Sequence, residues 1–261
     1  MEGEAYFVNQ SSFQVSTLGD VGSGKISDVE RVRAFWRRVE HYDAGSQVRQ
    51  GERSGPEKQL IIVSGWACEL RILPDGRRQI FSFLLPGDAI EARGAGSVGA
   101  CGVVALTRLE VVNRGAQLTV DAAGREAALQ REQRLYDHLM RMGRLSAKER
   151  VIHLLLELHE RLDRVGLVHG ETFKIPLTQE VFADALGLSV VHINRTLKGL
   201  RKEGWVCIKA GSVTLRNRPR LAAASCYRSE ADDLEFDALP LCAGEDRMGR
   251  AIPAPKRNLS A

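Results

Sequence analysis

Closely spaced cysteines are lacking in this chain. Its 261 residues include only 5 cysteines, and no two of them form a Cys-x-x-Cys pair. Disulfide frameworks and zinc fingers both need cysteines grouped at short spacings, so neither is expected. The sequence also has no P-loop, no paired catalytic carboxylates and no nucleophile beside a base. We therefore expect a protein that is not an enzyme and that has no metal site and no cofactor.

Long apolar runs are lacking too. No run approaches the ~20 residues that a bilayer-spanning helix needs. Residues 1–14 have neither the basic start nor the apolar stretch of a secretory signal. These two absences predict a cytoplasmic protein that does not contact a membrane.

Positive charge is concentrated in one part of the chain. The net charge is only +4, but residues 178–220 hold eight lysines and arginines against three acids. Residues 221–261 are slightly acidic, and residues 230–237 contain five acids and no base. This distribution is typical of a chain in which one region touches nucleic-acid phosphates and the other does not.

The composition and the hydrophobic pattern of the sequence change several times along the chain. Residues 1–27 are polar and rich in Gly and Ser, which predicts a disordered arm. Residues 28–115 begin with an amphipathic helix, DVERVRAFWRRVEHY (28–42), and continue with short strands that predict a small antiparallel barrel. The segments that follow are a long helix (116–143), a winged helix-turn-helix (144–220) and a flexible tail (221–261).

Two strands of the barrel are joined by a hairpin. Asp75 and Gly76 can supply the positive φ of its turn. The strand residues expected to be half-buried on either side of it are Leu70, Ile72, Ile80, Phe81 and Phe83.

The long helix carries two apolar stripes. The first contains Leu118, Ala122, Leu129, Tyr136 and Met140, and the second contains Ala128, Leu135, Leu139 and Met142. The stripes are displaced by roughly 100°, so the helix must pack against two surfaces. We expect these to be the barrel of the same chain and the same helix of a second subunit, with the first stripe as the dimer face. A single wide core face is the alternative.

The stretch from residue 176 to 217 is the most informative. Thr178 is a good N-cap for a helix that ends near Leu186, and Gly187 supplies a sharp turn. Ser189 then caps a second helix that reaches about Glu203. The run WVCIKAGSVTL (205–215) predicts a wing of two short strands.

The second of these helices sorts its residues onto two faces. The residues expected to be buried are Ile193, Thr196, Leu197 and Leu200. The opposite face carries Val190, Val191, Asn194, Arg195 and Lys198. An amide, two cations and small apolar groups suit the base edges and phosphates of a major groove. A merely solvated face is the alternative, but it leaves the two valines unexplained. Lys209 or Ser212 at the wing tip could contact the DNA backbone.

This order of parts resembles the cyclic-AMP receptor protein / fumarate-nitrate reductase regulator (Crp/Fnr) family. The resemblance covers roughly residues 30–220 and rests on GWACELRILPDGRRQIFSFLLPGD and, above all, on LTQEVFADALGLSVVHINRTLKGLRKEG. It implies an α+β chain with an N-terminal antiparallel β-roll like a cyclic-nucleotide-binding domain, a long dimerisation helix and a C-terminal winged helix-turn-helix.

The resemblance also implies roles for individual residues. Val191, Asn194 and Arg195 occupy the positions of base contacts. Phosphate-side contacts are implied for Thr178, Gln179, Ser189 and His192. Val191 departs from the glutamate that is frequent at its position in the family, so the family's usual half-site is not expected.

The sensor half departs further from the family. The segment GDAIEARGAGSVGACGVVAL (87–106) has no Arg-Ser or Arg-Thr pair to grip a cyclic phosphate, and the first 67 residues hold no cysteine for an iron–sulfur cluster. Two hypotheses remain: a regulator controlled by its abundance, and a thiol switch at Cys207, where oxidation would add bulk and charge near phosphate.

The leading functional prediction is a homodimeric, sequence-specific transcription regulator. It would bind a pseudo-palindromic double-stranded DNA site with half-sites about one helical turn apart. Family resemblance favours an activator that contacts RNA polymerase. The alternative is a small-molecule or redox sensor whose winged domain contacts protein, and the basic charge of residues 178–220 argues against it.

Overall fold

The computed structural model describes residues 39–48, 60–90, 102–113 and 122–229. The predictions made for the arm at 1–27, for Leu118 and for the acidic residues 230–237 lie outside these ranges. Among the helices within them, none has both the length and the apolar character that crossing a membrane requires.

Short strands build the N-terminal β-roll. In chain order they are β1 (Val39–Tyr42), β2 (Leu60–Ser64), β3 (Ala67–Ile72), β4 (Arg78–Leu84), β5 (Ala89–Ile90), β6 (Gly102–Ala105) and β7 (Leu109–Asn113). They pair antiparallel in two sheets, with strand orders β1-β7-β2-β5 and β4-β3-β6. Leu60, Ile62 and Leu109 are among the residues buried in the core of the roll. The predicted antiparallel roll is therefore confirmed.

The beginning of the roll corrects one prediction. Residues 39–42 were expected to end an amphipathic helix, but they form β1, with His41 opposite Glu110 of β7. Pairing with β7 satisfies the backbone groups of β1, and this tertiary contact overrides the local helical period. Residues 28–38 of the expected helix lie outside the described ranges.

The hairpin between β3 and β4 turns where it was predicted. Gly76 has φ +85°, and the Leu73 amide donates to the Arg77 carbonyl at 2.8 Å. Leu70, Ile80 and Phe83 are buried and Phe81 is half-buried. Ile72 is 61% exposed, so the prediction is wrong there, because this last residue of β3 lies beside the solvated turn.

Two long helices follow the roll, α1 (Ala122–Arg144) and α2 (Ala147–Arg164). The predicted capping box is present: the Ser146 hydroxyl accepts from the Glu149 amide, and the Glu149 carboxylate accepts from the Ser146 amide. Gly166, just beyond α2, has φ +71°. His153 and His159 are buried on α2, where they pack against aromatic rings.

The rest of the described chain is a winged helix-turn-helix with one added helix. Its elements are β8 (Val168–His169), β9 (Thr172–Lys174), α3 (Gln179–Leu186), α4 (Val190–Lys202), β10 (Val206–Lys209), β11 (Ser212–Leu215) and α5 (Arg218–Ser225). The strands form one sheet in the order β10-β11-β9-β8. The α+β class is confirmed. The strand pair β8–β9 was not predicted, because each strand has at most three residues.

Helix α5 corrects the predicted start of the tail. A flexible segment was expected from residue 221, but Leu221 and Ser225 are completely buried in α5, and the Tyr227 hydroxyl donates to the Glu160 carboxylate at 2.6 Å. Proline at the second residue of α5 and the Asn217 cap start the helix. The run LAAASCY (221–227) supplies apolar residues that pack on the core, so this segment is not part of a flexible tail.

The winged part and the roll share one apolar core. Trp66, Phe83 and Leu85 of the roll lie in the same buried cluster as Leu155 of α2 and Leu186 of α3. The outer side of the sheet β4-β3-β6 therefore packs against the helices of the winged helix-turn-helix.

Candidate nucleic-acid interface

The turn between α3 and α4 has the geometry of a helix-turn-helix. The Thr178 hydroxyl accepts from the Val181 amide at 3.3 Å and caps α3. Gly187 ends α3 in the left-handed region with φ +61°, and the Leu188 amide donates to the Ala183 carbonyl at 3.1 Å. The predicted caps and turn residue are confirmed.

Helix α4 is anchored on its inner face. Ile193 and Leu200 are completely buried and Leu197 nearly so. Thr196, which was expected to be buried, is half-buried because its hydroxyl donates to the His192 carbonyl at 2.9 Å on the helix surface. The buried residues fix which side of α4 faces away from the protein.

The outer face of α4 presents the residues predicted to read DNA. Val191 is 69% exposed, and Val190, Arg195 and Lys198 are exposed as well. Asn194 is half-buried between them. Most of Val191 and 37% of Val190 remain accessible, so this apolar surface is available to a partner.

The starts of both helices present further exposed polar groups. Thr178 and Gln179 lie at the start of α3, and Ser189 and His192 lie at the start of α4. The Ser189 hydroxyl accepts from the His192 amide at 3.2 Å, which leaves its own proton to donate outward. Helix N-termini attract anions because their amide dipoles point outward.

The wing is a tight hairpin. Lys209 of β10 pairs with Ser212 of β11, and the two residues between them, Ala210 and Gly211, both have positive φ. Lys209 is exposed at the tip and Ser212 is half-buried. Cys207 of β10 is an exposed free thiol. The thiol is accessible to an oxidant, and its role as a redox switch stays a prediction.

The end of α4 is attached to α2 and α5 through Trp205. The Lys148 ammonium lies 4.5 Å and the Arg220 guanidinium 4.7 Å from the centre of the indole ring. Lys148 also forms an ion pair with Glu203, the C-cap of α4. Cation–π contacts of this kind hold the helix in place from both neighbours.

Helix α1 contacts the roll through polar residues, not through an apolar stripe. Arg131 forms an ion pair with Glu69 of β3 at 2.7 Å, and the His138 ring meets Phe81 of β4 edge-on at 6.1 Å. The prediction that one apolar stripe packs on the barrel is wrong, because the roll-facing side of α1 carries charges that find partners there.

The apolar residues of α1 lie on its exposed side instead. Leu129 is 61% exposed, and Leu135, Tyr136 and Leu139 are exposed too. At 3.6 residues per turn these four side chains span about 120° of the helix, so the two stripes are the edges of one face. Met140 is half-buried, and the surroundings of the Ala122 side chain lie outside the description.

A buried ionic network joins α1, α2 and the roll. Glu157 of α2 pairs with Arg141 of α1 and, at 3.1 Å, with Arg161. Arg161 also donates to Asp88 at 2.5 Å and to the Phe83 carbonyl at 2.7 Å. Burial raises the pKa of Glu157, but the two guanidiniums outweigh it and lower that pKa to about 2.

Sequence reasoning missed this network. The signal that could have found it is the spacing of Arg131, Arg134, His138 and Arg141, which places four basic or titratable side chains on one face of α1. Their partners on α2 and in the roll are distant in sequence, so the spacing alone did not reveal what they contact.

Comparison with known proteins agrees with this geometry. Residues 149–224 match the Crp-like helix-turn-helix domain. The chain is 31% identical over 180 residues to the nitrogen fixation regulation protein FixK of Azorhizobium caulinodans, over 66% of this chain and 73% of the relative. It is 29% identical over 201 residues to the transcriptional activatory protein AadR of Rhodopseudomonas palustris, over 68% of this chain and 82% of the relative.

A solved structure shows the same fold over most of the described chain. FixK2 from Bradyrhizobium japonicum superposes with a TM-score of 0.61 at 26% identity, over 73% of this chain and 98% of that protein. The fold, the helix-turn-helix and the similarity to FixK agree with one another. This chain belongs to the Crp/Fnr family of DNA-binding transcription regulators.

Proposed function

We propose that this protein is a transcription activator that binds a pseudo-palindromic DNA site as a homodimer. The observation that carries the proposal is the outer face of α4, where Val190 and Val191 stand exposed beside Arg195 and Lys198. A cation beside bare methyl groups matches guanine edges and thymine methyls in a major groove.

The surrounding residues would position α4 on the DNA backbone. Thr178, Gln179, Ser189 and His192 lie at two helix starts, and Lys209 lies at the wing tip. Contacts to phosphates fix register and orientation and carry no sequence information themselves. These residues account for affinity, while Val191, Asn194 and Arg195 account for sequence preference. Ser212 supports the wing tip beside Lys209.

The exposed face of α1 supports a homodimer. Four large side chains, Leu129, Leu135, Tyr136 and Leu139, are exposed along one side of a 23-residue helix. Two copies of this face, packed against each other about a twofold axis, would remove them from water. The symmetry of such a dimer requires a pseudo-palindromic site.

The name of one relative supports a proposal for the sign of regulation. AadR is named a transcriptional activatory protein, so we assign activation, with RNA polymerase as the partner. We assign the roll as the regulatory domain, α1 as the dimerisation helix and the segment from α2 to α5 as the DNA-binding domain. A protein that acts on bacterial DNA works in the cytoplasm, and this role requires no enzymatic activity.

Selection of bound DNA from a random pool tests the proposal. We expect the full-length protein to enrich a pseudo-palindrome and to bind it as a dimer at moderate salt.

Arg195→Ala should weaken binding by ~1–3 kcal/mol and relax the preference at one base pair in each half-site. Arg77→Ala, at an exposed arginine in the β3–β4 turn, is the matched control and should bind like the wild type. Equal binding of random and selected DNA by the wild type would contradict the proposal.

A further inference from the structure

One arginine connects the three segments that meet where α1 ends. Arg150 lies in the first turns of α2, and each nitrogen of its guanidinium donates to a different backbone carbonyl. Nε donates to Leu145 at 2.8 Å, Nη2 to Met142 at 2.9 Å and Nη1 to Leu186 at 3.1 Å. The side chain therefore touches the end of α1, the α1–α2 connection and the end of α3 at once.

The carbonyls that Arg150 binds need such a partner. Met142 lies in the last turn of α1, and Leu186 is the last residue of α3. Carbonyls in the last turn of a helix have no amide partner within the helix and carry its negative dipole end. A planar guanidinium supplies several donors in fixed directions, so one charge satisfies two helix ends and also fixes their relative orientation.

A packing contact reinforces this junction. A Cβ atom on Gly187 would lie 2.3 Å from Met142 Cε, so the turn of the helix-turn-helix rests directly on the last turn of α1. Met142 is half-buried there. The end of α1 and the start of the DNA-reading unit thus meet through one set of hydrogen bonds and one van der Waals contact.

We propose that Arg150 is a positioning residue that sets which half-site spacing the dimer accepts. The inference rests on the proposed function, in which α1 forms the dimer axis and α4 reads each half-site. Arg150 ties α1 to α3, and α3 is separated from α4 only by the turn at residues 187–189. The angle at this junction fixes the separation of the two copies of α4.

Half-site spacing is a sensitive measure of that angle. Each added base pair moves one half-site by roughly 3.4 Å and rotates it by about 35° around the DNA axis. A rigid junction keeps the two copies of α4 in one relative position, so it tolerates neither the shift nor the rotation. A loosened junction lets the copies of α4 follow the displaced half-site. Contacts within one half-site do not depend on the angle between the subunits.

The test uses the full-length protein and the DNA that the wild type selects from a random pool. Dissociation constants are measured for that operator, for versions with one or two base pairs added to or removed from its centre, and for a duplex carrying a single half-site. The variants are Arg150→Met, Arg150→Lys and Met142→Ala. Arg164→Met is the control, since Arg164 lies at the other end of α2 and pairs with Glu160 on the surface.

We expect a one-base-pair change to weaken wild-type and Arg164→Met binding about tenfold. Arg150→Met should bind the single half-site within about twofold of the wild type, bind the operator more weakly and lose most of its preference between spacings. Arg150→Lys keeps the charge but not the planar fork, so an intermediate loss is expected. Met142→Ala leaves every hydrogen bond in place and should change the spacing preference in the same direction.

Other outcomes distinguish a failure of the role proposed for Arg150 from a failure of the proposed DNA-binding function. If Arg150→Met and Met142→Ala both keep the wild-type ratio between spacings, Arg150 does not set the spacing, whatever their melting temperatures. A parallel loss of half-site and operator binding in these variants contradicts the inference in the same way. If the wild type shows no preference for any selected sequence, the proposed function itself is wrong.

Discussion

At the scale of single residues, Val191 of α4 departs from the glutamate that the family resemblance implies at its position. A glutamate can accept a hydrogen bond from a cytosine amino group, but valine offers only methyl groups. Val191 is 69% exposed, so it is free to reach a base edge. Its best partner in a major groove is the methyl group of thymine.

Val191→Glu should therefore change the base that is preferred at one position of each half-site. We expect the preference to move from thymine towards cytosine by ~1–3 kcal/mol, because the carboxylate gains an amino partner and loses the methyl contact. Competition between two operators that differ only in thymine or cytosine at this position measures the change. Glu180→Gln, on the exposed start of α3, is the control; the same base preference in Val191→Glu and the wild type would argue against a base contact at this position.

Buried histidines make stability depend on pH, and burial lowers the pKa of His159 as well as those of His138 and His153. Burial, followed by the charge of Arg141, lowers the pKa of His153 to about 4 and that of His138 to about 4. The unfolded chain therefore binds more protons than the folded chain between pH 6.5 and about 4, and the contribution to stability is lost as pH falls through this range. Glu157, with a pKa of about 2, stays ionised throughout it.

We expect the free energy of unfolding to fall between pH 7 and pH 5, with a slope of up to about 1.4 kcal/mol per pH unit for each histidine. Urea unfolding at the two pH values measures the fall. His153→Gln should reduce the slope, because it removes one of the groups whose pKa is lowered on folding. Equal stability of the wild type at both pH values would be incompatible with two buried neutral histidines.

At the scale of elements, α1 divides its circumference between two kinds of contact. Its roll-facing side uses ion pairs, and its outer side is apolar and exposed. Charged residues against the roll give α1 a defined rotation, because each ion pair needs a particular partner. The apolar face is then held in the one direction in which a second subunit can meet it.

Charge on the apolar face should separate the subunits. We expect Leu135→Lys combined with Leu139→Lys to convert the dimer to a monomer, since lysines of both subunits would meet across the twofold axis. Analytical ultracentrifugation measures the mass. Gln130→Lys, about a quarter of a turn away from Leu129, should remain dimeric. A dimer of unchanged affinity in the double variant would show that another surface holds the subunits together.

The wing is the element for which a purely electrostatic effect is expected. Lys209 is exposed at its tip and was predicted to contact phosphate. Lys209→Ala should weaken all DNA sequences alike and reduce the slope of log affinity against log salt by about 1. Titrations at several salt concentrations measure the slope, with Arg77→Ala as control. A loss confined to the selected operator would instead indicate base readout by Lys209.

Features set by neighbouring residues could be predicted from the sequence, whereas contacts between distant segments could not. Thr178, Gly187 and Ser189 were identified from the sequence because caps and left-handed turns are determined by a few neighbouring residues. The exposed face of α4 followed from a single helical period. The three carbonyls bound by Arg150 and the partners of Glu157 were not predicted, since they depend on segments brought together only by folding.

At the scale of the whole molecule, the roll and the DNA-binding helices behave as one packed unit. They share an apolar cluster, and Arg161 joins α2 to Asp88 in the turn before β5. The Asp88 carboxylate also accepts from the Leu85 amide at 2.7 Å. Loss of this carboxylate would leave Arg161 buried with one partner fewer.

Asp88→Asn should therefore destabilise the protein by about 3 kcal/mol, as expected when one member of a buried ion pair is removed. Thermal unfolding measures the loss. Asp75→Asn is the matched control, because Asp75 pairs with Arg77 in solvent, and it should unfold like the wild type. Similar melting temperatures for both variants would show that the network does not tie the roll to α2.

The close contact behind Gly187 links two positions that are far apart in the sequence. A side chain at 187 meets Met142 Cε at 2.3 Å and must also adopt φ +61°. A larger residue at 187 must accept the left-handed region, as asparagine does, and the flexible end of Met142 must move aside to make room for it. Position 187 should accordingly accept glycine or asparagine and few other residues, and asparagine there should shift the Met142 side chain into another rotamer without requiring a substitution at 142.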